Sequence, residues 1–136
     1  MINAMSISIS GLKASAARLN ASASNIANAG TAGALPSNPA PDAPAPYVPV
    51  DVVQKSIGEG GAGGVMATYV PRTPAYAAAY DPDASFADAR GMVAVPNVDL
   101  AQEAVGQIEA ALSFRANLAV LKLQAEASED LLDVLA

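Results

Sequence analysis

The sequence contains no cysteine and no histidine. A chain without these residues forms no disulfide, and it lacks the common zinc sites and the Cys or Ser–His pairs of nucleophilic catalysis. Its carboxylates also form no convincing pair of the kind that performs acid–base catalysis. We therefore expect a protein that is not an enzyme and that carries no metal and no cofactor.

Aromatic residues are scarce as well, at 4% of the chain, and tryptophan is absent. Alanine supplies much of the 52% hydrophobic content. Because an alanine side chain buries little area, a core built on it is weak per residue. A single chain of 136 residues with such a core would be marginally stable, so the composition favours a protein that gains stability by association.

Acidic residues outnumber basic ones, and the net charge of −6 argues against a nucleic-acid-binding protein, which would show a basic stripe. No apolar run approaches the ~18–20 residues of a membrane span, so we expect no membrane insertion. The N-terminal "MINAMSISIS" has no basic region before its apolar residues, and it does not resemble a cleaved secretory signal.

Proline is absent from both ends, and all ten prolines lie between Pro36 and Pro96. This distribution predicts an N-terminal helix over residues 1–30, a linker with a small β-hairpin over 31–96, and a C-terminal helix over 97–136. Within the middle segment, "VPVDVVQKS" and "VMATYV" are predicted strands that "GEGGAGG" connects. Asp99 is the predicted N-cap of the second helix.

Apolar residues in both terminal segments recur in alternating steps of three and four, the spacing of a heptad seam. The N-terminal seam is Ile2, Met5, Ile9, Leu12, Ala16, Leu19, Ala23 and Ile26. The C-terminal seam is Ala101, Val105, Ile108, Ala111, Phe114, Leu118, Leu121, Ala125, Ser128, Leu132 and Leu135. The predicted fold is mainly α: two long helices paired as an antiparallel-type coiled coil, with an irregular Pro/Gly-rich middle that carries a short β-hairpin.

The two predicted helices differ in charge. Lys13 and Arg18 are the only charged residues of the first, whereas the second is mostly acidic. This complementarity favours pairing within one chain or between chains. The face of the first helix opposite its seam is serine-rich, and small side chains permit neighbouring backbones to approach closely. We expect that helix to be contacted on several sides; the alternative is a serine face exposed to solvent.

The segment "SNIANAG" places two amides, Asn25 and Asn28, at the end of the first helix. Gly30 is predicted to turn the chain out of the helix in a left-handed conformation. The amides can bond freed carbonyl groups or a neighbouring chain. A buried amide selects one packing register, because another register leaves it unsatisfied. The alternative is that both are ordinary helix-end residues.

Two stretches resemble a known family. "SGLKASAARLNASASNIANAGT" resembles the N-terminal motif of flagellar basal-body rod, hook and hook-associated proteins. "ADARGMVAVPNVDLAQEAVGQIEAALSFRANLAVL" resembles the C-terminal part of its proximal rod subtype. The matching positions of the second stretch are Ala87, Asp88, Ala89, Gly91, Val93, Pro96, Asn97, Val98, Ser113, Phe114, Ala116 and Asn117. After Thr31 the chain reads "AGALP", where many relatives have Pro-Gly and an aromatic residue.

The resemblance implies a structural subunit of the bacterial flagellar rod that polymerises with copies of itself and with other rod proteins in a helical tube. Such a subunit transmits torque and forms the export channel. It is exported by the flagellar type III apparatus without signal cleavage and lies in the basal body, in the periplasmic space. The implied assembly motif is Asn25, Asn28, Thr31, Pro96, Asn97 and Asn117. The alternatives are a paralogous axial subunit and a soluble coiled-coil adaptor.

Overall fold

The computed structural model describes residues 2–37, 42–58 and 63–135. In chain order the elements are α1 (Ile2–Ala27), β1 (Val50–Ser56), β2 (Val65–Pro71), β3 (Tyr76–Tyr80), β4 (Met92–Pro96) and α2 (Leu100–Leu135). β1 pairs with β2, and β3 pairs with β4. The prediction of a mainly α coiled coil is therefore wrong, because the middle segment folds into two antiparallel two-stranded sheets and the chain combines helices with strands.

The predicted hairpin is confirmed as the β1–β2 sheet. Its alternating valines suit a pleated, half-buried surface. The Arg72 backbone N–H donates to the Pro49 carbonyl at 2.8 Å, and the Ile57 N–H donates to the Gly64 carbonyl at 2.9 Å. Residues 59–62 of the predicted turn lie outside the described residues.

The β3–β4 sheet was not predicted. Its register sets Tyr76 opposite Pro96 and Tyr80 opposite Met92. Alanine is depleted in strands, so "YAAAY" carries little strand signal. The turn before β4 is organised by Asp88, whose Oδ1 accepts the Met92 N–H at 2.9 Å. Gly91 follows with φ 73°, a left-handed conformation that glycine adopts without steric cost.

The contacts divide the chain into two compact units. Unit 1 comprises Met1–Asn20, Val52–Tyr69 and Val105–Ala136, and unit 2 comprises Ala21–Asp51 and Val70–Ala104. Each of the three predicted segments contributes to both units. The predicted division at residues 31 and 97 stays a prediction. The buried apolar side chains are small: Ala14 and Ala110 in unit 1, and Ala21, Ala34, Val93 and Ala94 in unit 2.

The sequence predicted the start of α2 correctly but not the conformation at the end of α1. Asp99 caps α2, because its Oδ1 accepts the N–H groups of Ala101 at 2.9 Å and Gln102 at 3.1 Å. The prediction for Gly30 is wrong: among the described glycines, positive φ occurs at positions 58, 64 and 91. The chain instead leaves α1 through a turn in which the Thr31 N–H donates to the Asn28 carbonyl at 3.0 Å. Among the described residues, no helix has the apolar length that a bilayer crossing requires.

Candidate assembly site

The buried face of α1 is made of small and polar side chains. Ser8, Ser15, Ser22 and Asn25 are each at most 6% exposed. Together with the partly covered positions 11 and 18, they form a stripe in steps of three and four. This stripe lies one residue away from the predicted apolar seam. Three serines of that face, Ser8, Ser15 and Ser22, are therefore covered by the chain, whereas Ser6 is exposed.

Within unit 1 the stripe allows α1 to approach α2 closely. A Cβ atom added to Gly11 would lie 2.5 Å from Oδ1 of Asn117, a distance that no real Cβ keeps. The Asn117 amide is held in place by its own bond to the Ser113 carbonyl at 2.8 Å. Two turns further along α1, Arg18 forms an ion pair with Glu109 of α2 at 3.0 Å. As the numbers rise on α1 they fall on α2, so the helices run in opposite directions here.

Within unit 2 the Asn25 side chain is buried and uses its full hydrogen-bonding capacity. Its Oδ1 accepts the Val50 N–H at 2.9 Å and the Tyr47 hydroxyl at 3.1 Å. Its Nδ2 donates to the Val50 carbonyl at 2.9 Å and to Oε1 of Glu103 at 2.9 Å. Two acceptor sites and two N–H groups are all that an asparagine amide offers. Asn25 therefore fixes the start of β1 and the start of α2 against the end of α1.

Glu103 extends this arrangement into an ionic network. Its carboxylate also accepts a bond from Nη2 of Arg72 at 2.8 Å, and the two side chains are 8% and 17% exposed. Arg72 bonds Asp51 at 2.7 Å and the Asn97 carbonyl at 2.9 Å. The hydrogen bond with Asp51 raises the pKa of the Arg72 guanidinium, burial opposes that rise, and Glu103 adds to it. Arg72 therefore stays charged. We call Asn25, Tyr47, Asp51, Arg72 and Glu103 the Asn25 cluster.

Sequence reasoning found only one member of the Asn25 cluster as a site residue. The partners of Asn25 and of Arg72 are separated from them by 21 to 78 residues along the chain, so no spacing rule connects them. Glu103 lies beside the predicted apolar seam, where a charged residue is ordinarily read as part of the solvated face. The chain carried no signal that this carboxylate is buried.

The other residues of the predicted motif take separate positions. Asn28 donates to the Ser24 carbonyl at 2.9 Å and so acts within the helix end. Thr31 is exposed, and Pro96 is buried at the end of β4. Asn97 donates from its amide to the Pro74 carbonyl at 3.0 Å. Their role in assembly stays a prediction.

The predicted apolar seams are mostly uncovered by the chain itself. On α2, Val105, Ile108, Leu118 and Leu132 are each more than half exposed, whereas Phe114 and Leu121 are half-buried. On α1, Met5, Ile9 and Ile26 are exposed, and Leu12 and Leu19 are half-buried. Ile2 and Leu135 are the terminal residues of the two helices. That these side chains form a seam with another chain stays a prediction.

Comparison with known protein families finds a match to part of the chain. Residues 5–34 match the family described as "Flagella basal body rod protein". The matched segment covers most of α1, including the buried serine stripe and Asn25, and the turn that follows. No curated protein matches the chain. The match covers 5–34 of the 136 residues, so it shows that this segment is similar to that family.

Proposed function

We propose that this protein is a subunit of the proximal rod, most like the rod protein FlgC, and that it polymerises with other axial proteins into a helical tube. The observation that carries this proposal is the burial pattern of the two helices, which is the reverse of the usual one. Their small and polar residues are buried within the chain, and their large apolar residues are exposed.

The exposed apolar residues supply the free energy for polymerisation. Ile108 is 70% exposed and Leu112 is 68% exposed on one helix alone. Full burial of such a side chain is worth about 1.5–3 kcal/mol. A chain whose own core consists mainly of alanine gains more from covering these residues with another subunit than from its internal packing. This is the pattern expected of a protein that reaches its stable state on assembly.

The buried contacts suit a subunit that transmits torque. Gly11 and Asn117 in unit 1 leave no space for the helices to slide past one another, and the saturated amide of Asn25 in unit 2 accepts one arrangement of its partners. The proximal position in the rod rests on the resemblance of residues 87–117 to that subtype. Export by the type III apparatus without signal cleavage and a place in the periplasmic part of the basal body rest on the same resemblance.

Deletion of the gene in the bacterium that encodes it tests the proposal. We expect the deletion strain to lose swimming and to lack completed rods in electron micrographs, and the wild-type gene to restore both. Mass spectrometry of purified basal bodies should find the chain with its N-terminal segment intact. A paralogous axial subunit would leave a partial rod in the deletion strain. An adaptor would be absent from washed basal bodies, and that result would overturn the proposal.

A further inference from the structure

Unit 1 contains an apolar groove between α1 and the β1–β2 hairpin. Its volume is about 520 Å³, and the residues that matter here are Ile9, Lys13, Ala14, Ile57, Val65 and Met66. Ala14, which lines the groove, is buried and has a small side chain. The wall formed by the hairpin is fixed to α1, because the Val65 N–H donates to Oγ of Ser10 at 3.0 Å. Lys13 is the one charged residue among the described residues that line it.

A second surface of unit 1 has the complementary character. Residues 123–133 of α2, which we call the acidic end of α2, contain four carboxylates and no cation. Leu123 is 65% exposed and Leu132 is 68% exposed. The one ion pair described there links Glu126 to Lys122, one turn earlier, at 3.8 Å. The acidic end therefore presents leucines beside negative charge.

We propose that the acidic end of α2 from one copy docks into the groove between α1 and the hairpin of a second copy. Leu123 enters the apolar groove. Glu126, Asp130 and Asp133 lie on the same side of the helix as Leu123, so their carboxylates come near Lys13 at the rim. The inference rests on the proposed function, since it names one contact between neighbouring copies in the rod. We assign a second copy as the occupant because the groove is apolar and carries one lysine, Lys13. The acidic end of α2 carries leucine and carboxylate side chains, which complement that surface.

The geometry of this contact agrees with an open assembly. The groove and the acidic end are different surfaces of the chain, so the contact is head-to-tail and not self-complementary. A head-to-tail contact leaves one groove and one acidic end free on every pair, and it propagates into a filament or a ring instead of closing as a dimer. Each added copy presents the same two surfaces to the next one.

The absence of cysteine makes a direct test possible. Met66→Cys in one copy and Leu123→Cys in another are co-expressed as full chains in the deletion strain, and basal bodies are isolated under mild oxidation. We expect a disulfide-linked peptide that joins the two substituted positions, which only two separate copies can form. The matched control pairs Met66→Cys with Leu112→Cys, because Leu112 and Leu123 lie on the same side of α2 and are 68% and 65% exposed. This control should give background signal only.

A charge reversal sharpens the result. Lys13→Glu should lower the yield of the linked peptide roughly tenfold, the effect of about 1.4 kcal/mol. Asp130→Lys with Asp133→Lys in the partner copy should restore it. Lys55→Glu is the control, since Lys55 is exposed but does not line the groove.

The outcomes separate this inference from the proposed function. If both variants are recovered in basal bodies and the linked peptide does not exceed the Leu112→Cys control, the docking contact is wrong and the rod function stands. If neither variant nor the wild-type chain is recovered in basal bodies, the rod function is wrong. The same oxidation of the concentrated purified chains then decides the contact alone, and a yield no higher than the control overturns it.

Discussion

The start and the end of α2 are stabilised by opposite means. At its start, Glu103 is 7% exposed and takes part in a network in which every polar group of Asn25 has a partner. Towards its end, leucines at positions 118, 123, 131 and 132 are 47–68% exposed. The same helix therefore buries a carboxylate and exposes its largest aliphatic side chains.

This difference shows that hydrogen bonds of buried polar groups fix the internal arrangement here, while large apolar side chains are left exposed. Under the proposed function, those side chains are covered by other subunits. A hydrogen-bonded network adds about 1 kcal/mol per bond to stability, but it penalises any misfit strongly. A hydrophobic face tolerates many partners of similar shape. Hydrogen bonds therefore suit an internal contact that must take one arrangement, and an apolar face suits contact with another molecule.

The largest effect should come from removing the amide of Asn25. Asn25→Leu removes the side-chain partner of the N–H and carbonyl groups of Val50 and one of the two partners of the Glu103 carboxylate, in a site too small for the new side chain. Each buried polar group left unsatisfied costs about 1–3 kcal/mol, so we expect a loss of roughly 3 kcal/mol or more in the free energy of unfolding. Urea unfolding of the purified chain, followed by circular dichroism, measures it.

Asn28→Leu is the matched control for this prediction, since the side-chain amide of Asn28 bonds the Ser24 carbonyl one turn earlier in the same chain segment. We expect its unfolding free energy to change by about 0.5 kcal/mol at most, because leucine is a good helix former. Equal losses in the two variants would show that Asn25 has no special part in fixing the arrangement. Counts of completed basal bodies should follow the same order.

The sequence predicted the parts of the fold that depend on local patterns. The two long helices, the cap at Asp99 and the valine-rich hairpin each have a signal within a few residues. The alanines of the β3–β4 sheet carry no such local signal. The apolar periodicity of α1 indicated the helix correctly, but it could not reveal that the serine stripe one residue away is the covered face. Which face is buried depends on what lies opposite, and Gly11 meets Asn117 at a separation of more than a hundred residues.

A smaller effect is expected from a methyl group between the helices. Gly11→Ala places a Cβ against the Asn117 amide, so the helices must move apart or the amide must give up its bond to Ser113. Overpacking of this kind costs about 1–3 kcal/mol. Gly106→Ala is the control on α2, because a Cβ there meets nothing within 4 Å. It should stabilise the chain by about 0.5–1 kcal/mol through helix propensity. The same sign for both substitutions, in thermal unfolding, would contradict the close approach of α1 to α2.

The smallest effect should come from Asp88, whose carboxylate has its hydrogen-bond partners within four residues along the chain. Bonds from the Met92 N–H, and from the N–H and side chain of Arg90, hold the pKa of Asp88 below its ordinary value of 3.8. A carboxylate with a depressed folded pKa stabilises the fold at any pH above its unfolded pKa. That contribution is lost as pH falls through the folded pKa, so the turn before β4 should weaken below about pH 4. Asp88→Asn keeps an acceptor oxygen but removes the titration. In nuclear magnetic resonance spectra, the amide protons of Arg90 and Met92 should shift with acid in the wild type and stay constant in the variant. An acid shift of equal size in both would assign it to another group, and the polar contacts of this turn would then contribute nothing that depends on charge.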